Sequence, residues 1–159
     1  MDNCLALTKL KIKHQDILDI ILEQNDSDWT IDEQYHELRL DNWLDYDCIK
    51  QVVNQLPHDL EINNNRIVAE RLDRYFCLPA HKDGIRKASI YIPLTALDCA
   101  VELYSNDKEW VRPYYHNTAT LINAQSWHGT TTKEQQKIGL QFSLYEDYKV
   151  LQERLKHLS

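Results

Sequence analysis

A chain of 159 residues is long enough for one domain with a proper core and too short for two ordinary ones. Its 43% hydrophobic and 27% charged composition is that of a soluble globular protein, which excludes a disordered tail or a fibrous repeat. With 18 Lys+Arg against 25 Asp+Glu the net charge is −7, so no basic field gathers phosphates and nucleic acid is not expected as a partner.

At the N-terminus, Asp2 and Asn3 precede a short Leu-rich run with no basic leader and no cleavage site, and no apolar run approaches the ~20 residues that cross a bilayer. A cytoplasmic protein without a membrane span is expected. Cys4, Cys48, Cys77 and Cys99 are far apart and form no C-x-x-C pair, so they read as free, mostly buried thiols.

Residues 1–65 read as mainly helical. His14 to Gln24 carries Ile17, Leu18, Ile20, Ile21 and Leu22 as a broad apolar stripe and stops in Asn25-Asp26-Ser27-Asp28. A second helix places Ile49, Val52, Val53 and Leu56 at i, i+3, i+4 and i+7, with Asp45 or Asp47 as its cap and Pro57 after its end. Each helix has one face to bury, and a sheet is the expected partner.

From about Arg66 the period changes to two. Val68–Cys77, Lys87–Leu94, Ala100–Tyr104, Trp110–Tyr115, Thr118–Asn123 and Lys137–Tyr145 are the clearer of roughly seven short strands. Strands after helices predict a single α+β domain: an antiparallel sandwich or barrel over residues 66–146, supported by the N-terminal helices. A short helix with Leu151, Leu155 and Leu158 closes the chain within 147–159.

The chemistry gathers in the β region. Gly84 and Gly129 directly follow Asp83 and His128, where a residue without Cβ lets the backbone turn or approach a ligand. His81-Lys82-Asp83 is an H-x-D, a pattern that chance alone gives about 0.7 times in this composition. The other copy, His14-Gln15-Asp16, lies in the first helix, where residues two apart point to opposite sides and cannot grip one ion. On a strand, His81 and Asp83 project to the same face and can share a metal. His128, 45 residues beyond Asp83, completes a two-His-one-carboxylate face with open positions. The last strand alternates: Ile138, Leu140, Phe142 and Leu144 form an apolar face, whereas Lys137, Gly139, Gln141 and Ser143 face a polar interior suited to an anion.

The run from His81 through Asp83, Arg86, Ser89 and Tyr91 to Leu94, then His128-Gly129, then Lys137 and Ser143, resembles the iron(II)- and 2-oxoglutarate-dependent oxygenases of the double-stranded β-helix (jelly-roll) fold. It is most similar to their small prolyl-hydroxylase-like and aspartyl/asparaginyl-hydroxylase-like members. The resemblance covers about half the chain, Val68 to Tyr145, and implies a jelly-roll barrel with the N-terminal helices on one sheet. It makes His81, Asp83 and His128 ligands of Fe(II), with 2-oxoglutarate chelating the metal through its keto-acid end. Lys137 takes the place of the basic residue that holds the far carboxylate, where many members have Arg and a bidentate fork. Tyr91 matches a position whose hydroxyl adds a second bond to that carboxylate, and Ser143 lies on the same closing strand. Arg86 falls on the other parity, free either to reach the active-site mouth, where it too could hold the carboxylate, or to form an ion pair.

The activity implied is hydroxylation of an amino-acid or peptidyl side chain or a small metabolite, with release of succinate and CO2. The alternative is a non-catalytic metal- or ligand-binding module on the same barrel. A cupin-type site would need an H-x-H, which the sequence lacks. Trp110, Tyr114 and Tyr115 are placed near the mouth, and His14, His36, His58, His116 and His157 read as exposed or structural. Substrate and oligomeric state are not legible.

Overall fold

The computed structural model describes residues 3–159; Met1 and Asp2, where the sequence shows no basic leader, lie outside the described residues. The elements run β1 (Cys4–Ala6), α1 (His14–Glu23), β2 (Trp29–Asp32), β3 (Tyr35–Leu38), α2 (Asp47–Val53), β4 (Ile67–Leu72) and β5 (Cys77–His81). They continue β6 (Ala88–Pro93), β7 (Ala100–Tyr104), β8 (Trp110–Tyr115), β9 (Thr120–Asn123), β10 (His128–Thr131), β11 (Lys137–Leu144) and α3 (Tyr148–Leu155). Among the described residues no helix is long and apolar enough to cross a membrane.

The strands pair antiparallel into a seven-stranded sheet ordered β1-β9-β6-β11-β4-β3-β2 and a four-stranded sheet ordered β5-β10-β7-β8. The expected closed barrel is therefore two separately hydrogen-bonded open sheets. Each sheet ends in edge strands, and the chain crosses between the sheets through loops.

β11 is the central strand of the large sheet, and its period-two pattern sorts the protein into two interiors. Ile138, Leu140, Phe142 and Leu144 face outward and join Ile67, Ala69, Ile90, Ile92 and Leu121 in the main core. Over this face lie Ile17 and Ile21 of α1, Ile49 and Val52 of α2, and Leu151 and Leu155 of α3. Fully burying such side chains stabilises by about 1.5–3 kcal/mol each, which holds the helices without strong caps. The other face of the sheet turns toward the small sheet. There Tyr91 and Ile122 meet Val101 and Leu103 in a second, smaller cluster, and Glu70, Lys137 and Gln141 bring polar groups to the same side.

Several local expectations are corrected. The N-terminal third also contributes three strands, because β1, β2 and β3 are only three or four residues long and give too little alternation to read; β2 buries Trp29 alone. The expected Val68–Cys77 strand breaks at Asp73–Phe76 into β4 and β5, which enter different sheets. Neither Asp45 nor Asp47 caps α2: its cap position is Tyr46, without a side-chain bond, and Asp47 stands in the first turn. A negative charge there still favours the exposed N–H groups. Cys4, Cys48 and Cys99 are buried and Cys77 is exposed, and none of the four is in a disulfide among the described residues.

Candidate metal centre

β5 and β10 are neighbours in the small sheet, and their register sets His128 opposite His81. His81 ends β5 and His128 begins β10, so the antiparallel pairing brings both imidazoles to the same end of the sheet. Asp83 lies past the strand end, which corrects the expectation of a shared strand face. It is placed by its own N–H, which donates to the Ala124 carbonyl at 2.9 Å. The Gln125 amide donates to the Asp83 and Arg86 carbonyls at 3.2 and 2.8 Å. The turn before β10 is thus hydrogen-bonded to the loop after β5, which ties together the segments that carry the candidate ligands. Gly129 permits this pairing: a Cβ there would come within 2.5 Å of the Leu78 carbonyl oxygen. Gly84 has no such duty, since a Cβ at that position meets nothing within 4 Å.

His81, Asp83 and His128 present one ligand atom each within 4.8 Å of one another. Asp83 Oδ1 is 3.5 Å from His81 Nε2 and 3.8 Å from His128 Nε2. His81 Nδ1 lies 2.9 Å from the Pro79 carbonyl and His128 Nδ1 lies 2.8 Å from the Ser126 carbonyl. A carbonyl only accepts, so both Nδ1 atoms carry the hydrogen and each Nε2 is turned toward Asp83; a proton on His81 Nε2 bonds the carboxylate, and each ring when neutral offers its Nε2 lone pair there to a metal. Two imidazoles in this tautomer and one carboxylate oxygen fit a divalent transition metal with positions left open.

The charges agree. Burial works against the ionised Asp83 carboxyl, but hydrogen bonds from His81 and Arg86 and the Arg86 charge outweigh it and hold the group down to about 2. The bond to Asp83 draws the His81 imidazole up, whereas burial lowers His128. The acid is therefore a permanent anion, and a metal at the centre displaces at most an imidazole proton.

Behind the triad, a cavity between the sheets runs to Lys137. Lys137 is only 4% exposed, and its ammonium donates to His116 Nε2 at 3.1 Å and to Thr130 Oγ1 at 3.5 Å, both neutral partners. Burial brings its pKa down to about 8 and, with the Lys137 charge, lowers His116 to about 3. Gln141 shares the inward parity, and its buried Nε2 has no hydrogen-bond partner among the described residues. Tyr91 sits directly across from Gln141, and its hydroxyl stands over Gly139, where any Cβ would collide with it. Glu70 lines the same cavity, its carboxyl raised by burial and moderated by Arg86 and Lys137. An outer opening, bounded by Asp32, Glu33 and Glu37 of the β2–β3 hairpin, meets the inner cavity at Tyr35, His81, Asp83 and Arg86.

The structure thus brings His81, Asp83, Arg86, Tyr91, His128 and Lys137 around one cavity, whereas Ser143 is not part of its lining and accepts from Arg86 Nη1 at 3.4 Å. Arg86 forms an ion pair, with Asp83 itself. Trp110 and Tyr115 are exposed on β8 and outside the cavity wall. His116, read from the sequence as exposed or structural, is a buried neighbour of Lys137, and nothing in its spacing signals that contact. Gln141 is legible from the alternation of β11, and Glu70 could have been found in the same way, as a polar residue between the inward-facing Val68 and Leu72 of β4.

No protein-family model matches the chain, and no curated protein matches it. Solved structures do match. An oxidoreductase of the 2OG-Fe(II) oxygenase family from Burkholderia pseudomallei superposes with a TM-score of 0.57 over 85% of this chain and 79% of its own, at 12% identity. The non-heme alpha ketoglutarate dependent epimerase SnoN from nogalamycin biosynthesis gives 0.59 over 92% and 78%, at 9% identity. At such identities the likeness establishes the two-sheet fold.

Proposed function

We propose that this protein is an Fe(II)- and 2-oxoglutarate-dependent oxygenase that hydroxylates an amino-acid or peptidyl side chain or a small metabolite. The observation that carries this reading is the convergence of His81 Nε2, His128 Nε2 and Asp83 Oδ1, with both Nδ1 hydrogens committed to backbone carbonyls, at one end of a cavity whose other end holds a buried ammonium. The resemblance of the motif order and the fold of two keto-acid-dependent relatives support it.

His81, Asp83 and His128 would hold the metal, and Lys137 the far carboxylate of 2-oxoglutarate, with Tyr91 as a second donor. When bound, Fe(II) and 2-oxoglutarate supply the oxidising power: O2 and the keto acid become succinate and CO2, and the second oxygen atom becomes the substrate hydroxyl. The chain's own residues do the rest. Lys137 exchanges two neutral partners for a carboxylate and gains a charge-assisted bond in a desolvated site. The apolar walls contributed by Leu78, Val101 and Ile122 exclude water from the space between the two ends. The outer opening, beside His81 and Asp83, is the approach left for substrate.

The test is anaerobic loading with Fe(II) and 2-oxoglutarate, then exposure to air with panels of amino acids, peptides and small metabolites. Succinate formed in step with a hydroxylated product is expected. Metal and keto-acid binding without succinate under any panel would leave the non-catalytic binding module.

A further inference from the structure

We propose that Arg86 is a positioning residue of the metal centre: it occupies Oδ2 of Asp83 and so leaves Oδ1 as the single carboxylate oxygen offered to a metal. This inference rests on the metal-binding reading above. Arg86 Nε is 2.7 Å and Nη2 2.5 Å from the same atom, Asp83 Oδ2. An Arg–carboxylate fork commonly spreads over both oxygens; here both donors converge on one, and the other oxygen faces the imidazoles.

Three further contacts make the arrangement rigid. The third guanidinium nitrogen, Nη1, reaches Ser143 Oγ on β11 at 3.4 Å, the Arg86 carbonyl accepts from Gln125, and the Asp83 N–H is tied to Ala124. The pair is also shielded, with side-chain exposures of 24% for Arg86 and 11% for Asp83, so water does not screen it as it screens a surface ion pair. The loop Asp83-Gly84-Ile85-Arg86 is short enough to fold the guanidinium back onto the carboxylate it follows. With Oδ2 covered, Asp83 can ligate through one oxygen only, which keeps the remaining positions of the metal open. The same commitment removes Arg86 as the holder of the far carboxylate and leaves that duty to Lys137.

The experiment is a titration of Co(II) into metal-free wild type, Arg86→Ala, Arg86→Lys and Asp83→Ala, without keto acid, each with and without millimolar guanidinium ion. Loss of such an outer partner typically weakens metal binding on the order of 10- to 100-fold. That loss is expected for Arg86→Ala, with Arg86→Lys between it and wild type, because lysine keeps one charged donor. Guanidinium should restore most of the affinity of Arg86→Ala and leave wild type unmoved, which a loss of loop packing would not show. Circular dichroism reports whether each variant is folded, and Arg86→Lys decides the matter if the alanine variant is not. Affinities within about twofold of wild type in the folded variants, or a loss that guanidinium does not repair, would overturn the proposal. Wild type binding no more tightly than Asp83→Ala would instead overturn the metal-binding reading itself.

Discussion

His81 and His128 are register partners on neighbouring antiparallel strands, with ring centroids 4.4 Å apart and planes tilted by 53°. One strand pairing therefore sets the spacing of two candidate ligands, and it depends on the close approach of Gly129 to the β5 backbone. Gly129→Ala must push β10 away from Leu78. Overpacking of this kind costs roughly 1–3 kcal/mol, and metal affinity should fall with it. A lowered melting temperature together with weaker Co(II) binding is expected; unchanged values for both would show that the strands are not held at this distance.

Gln141 is predicted to work against stability. Its buried Nε2 lacks a hydrogen-bond partner among the described residues, and an unmade bond of this sort costs about 1–3 kcal/mol. Gln141→Leu should leave the melting temperature of the ligand-free protein unchanged or higher while weakening 2-oxoglutarate binding to the iron-loaded protein. Tyr91→Phe should weaken it about tenfold or less, since one neutral donor is lost and the charge remains. Binding unaffected by both changes would move the keto acid to another part of the cavity.

Lys137 gives the protein a pH signature. The unfolded chain keeps the lysine proton to its ordinary value of 10.5, whereas the folded protein releases it at about 8. Between these values the unfolded state binds more protons, so stability rises with pH through this window, and below about pH 8 the full penalty, on the order of 3 kcal/mol, is present. Chemical denaturation of ligand-free protein at a series of pH values should show that rise, and Lys137→Met should flatten it. The opposite slope in wild type would place the ammonium in a less buried or better-paired setting. In the same variant 2-oxoglutarate affinity should fall on the order of 10- to 100-fold, with iron binding nearly intact.

How far the sequence reveals this protein follows from where its signals are local. The alternation Ile138, Leu140, Phe142 and Leu144 against Lys137, Gly139, Gln141 and Ser143 is a property of one strand, and it identifies the two faces of the large sheet directly. The helices α1 and α2 are likewise announced by their apolar stripes. His81, Asp83 and His128 are legible as candidates because two of them stand two residues apart as an H-x-D and the third precedes a glycine. What stays hidden depends on tertiary placement. β3 pairs onto β4 and β2 onto β3, with few buried side chains of their own. His116 meets Lys137 across 21 residues. Arg86, on the other strand parity and left open between the active-site mouth and an ion pair, reaches Asp83 because the segment between them is a loop, to which parity does not apply.

The central claim is that His81, Asp83 and His128 form a single metal site that accepts a keto acid. The most direct measurement is an anaerobic titration of 2-oxoglutarate into Fe(II)-loaded wild type and Asp83→Ala, followed by visible absorption. A weak charge-transfer band that saturates at one keto acid per iron in wild type, and is absent in an Asp83→Ala protein that remains folded, is the predicted result. A wild type that binds iron without giving the band, or an Asp83→Ala protein that gives it in full, would contradict the account.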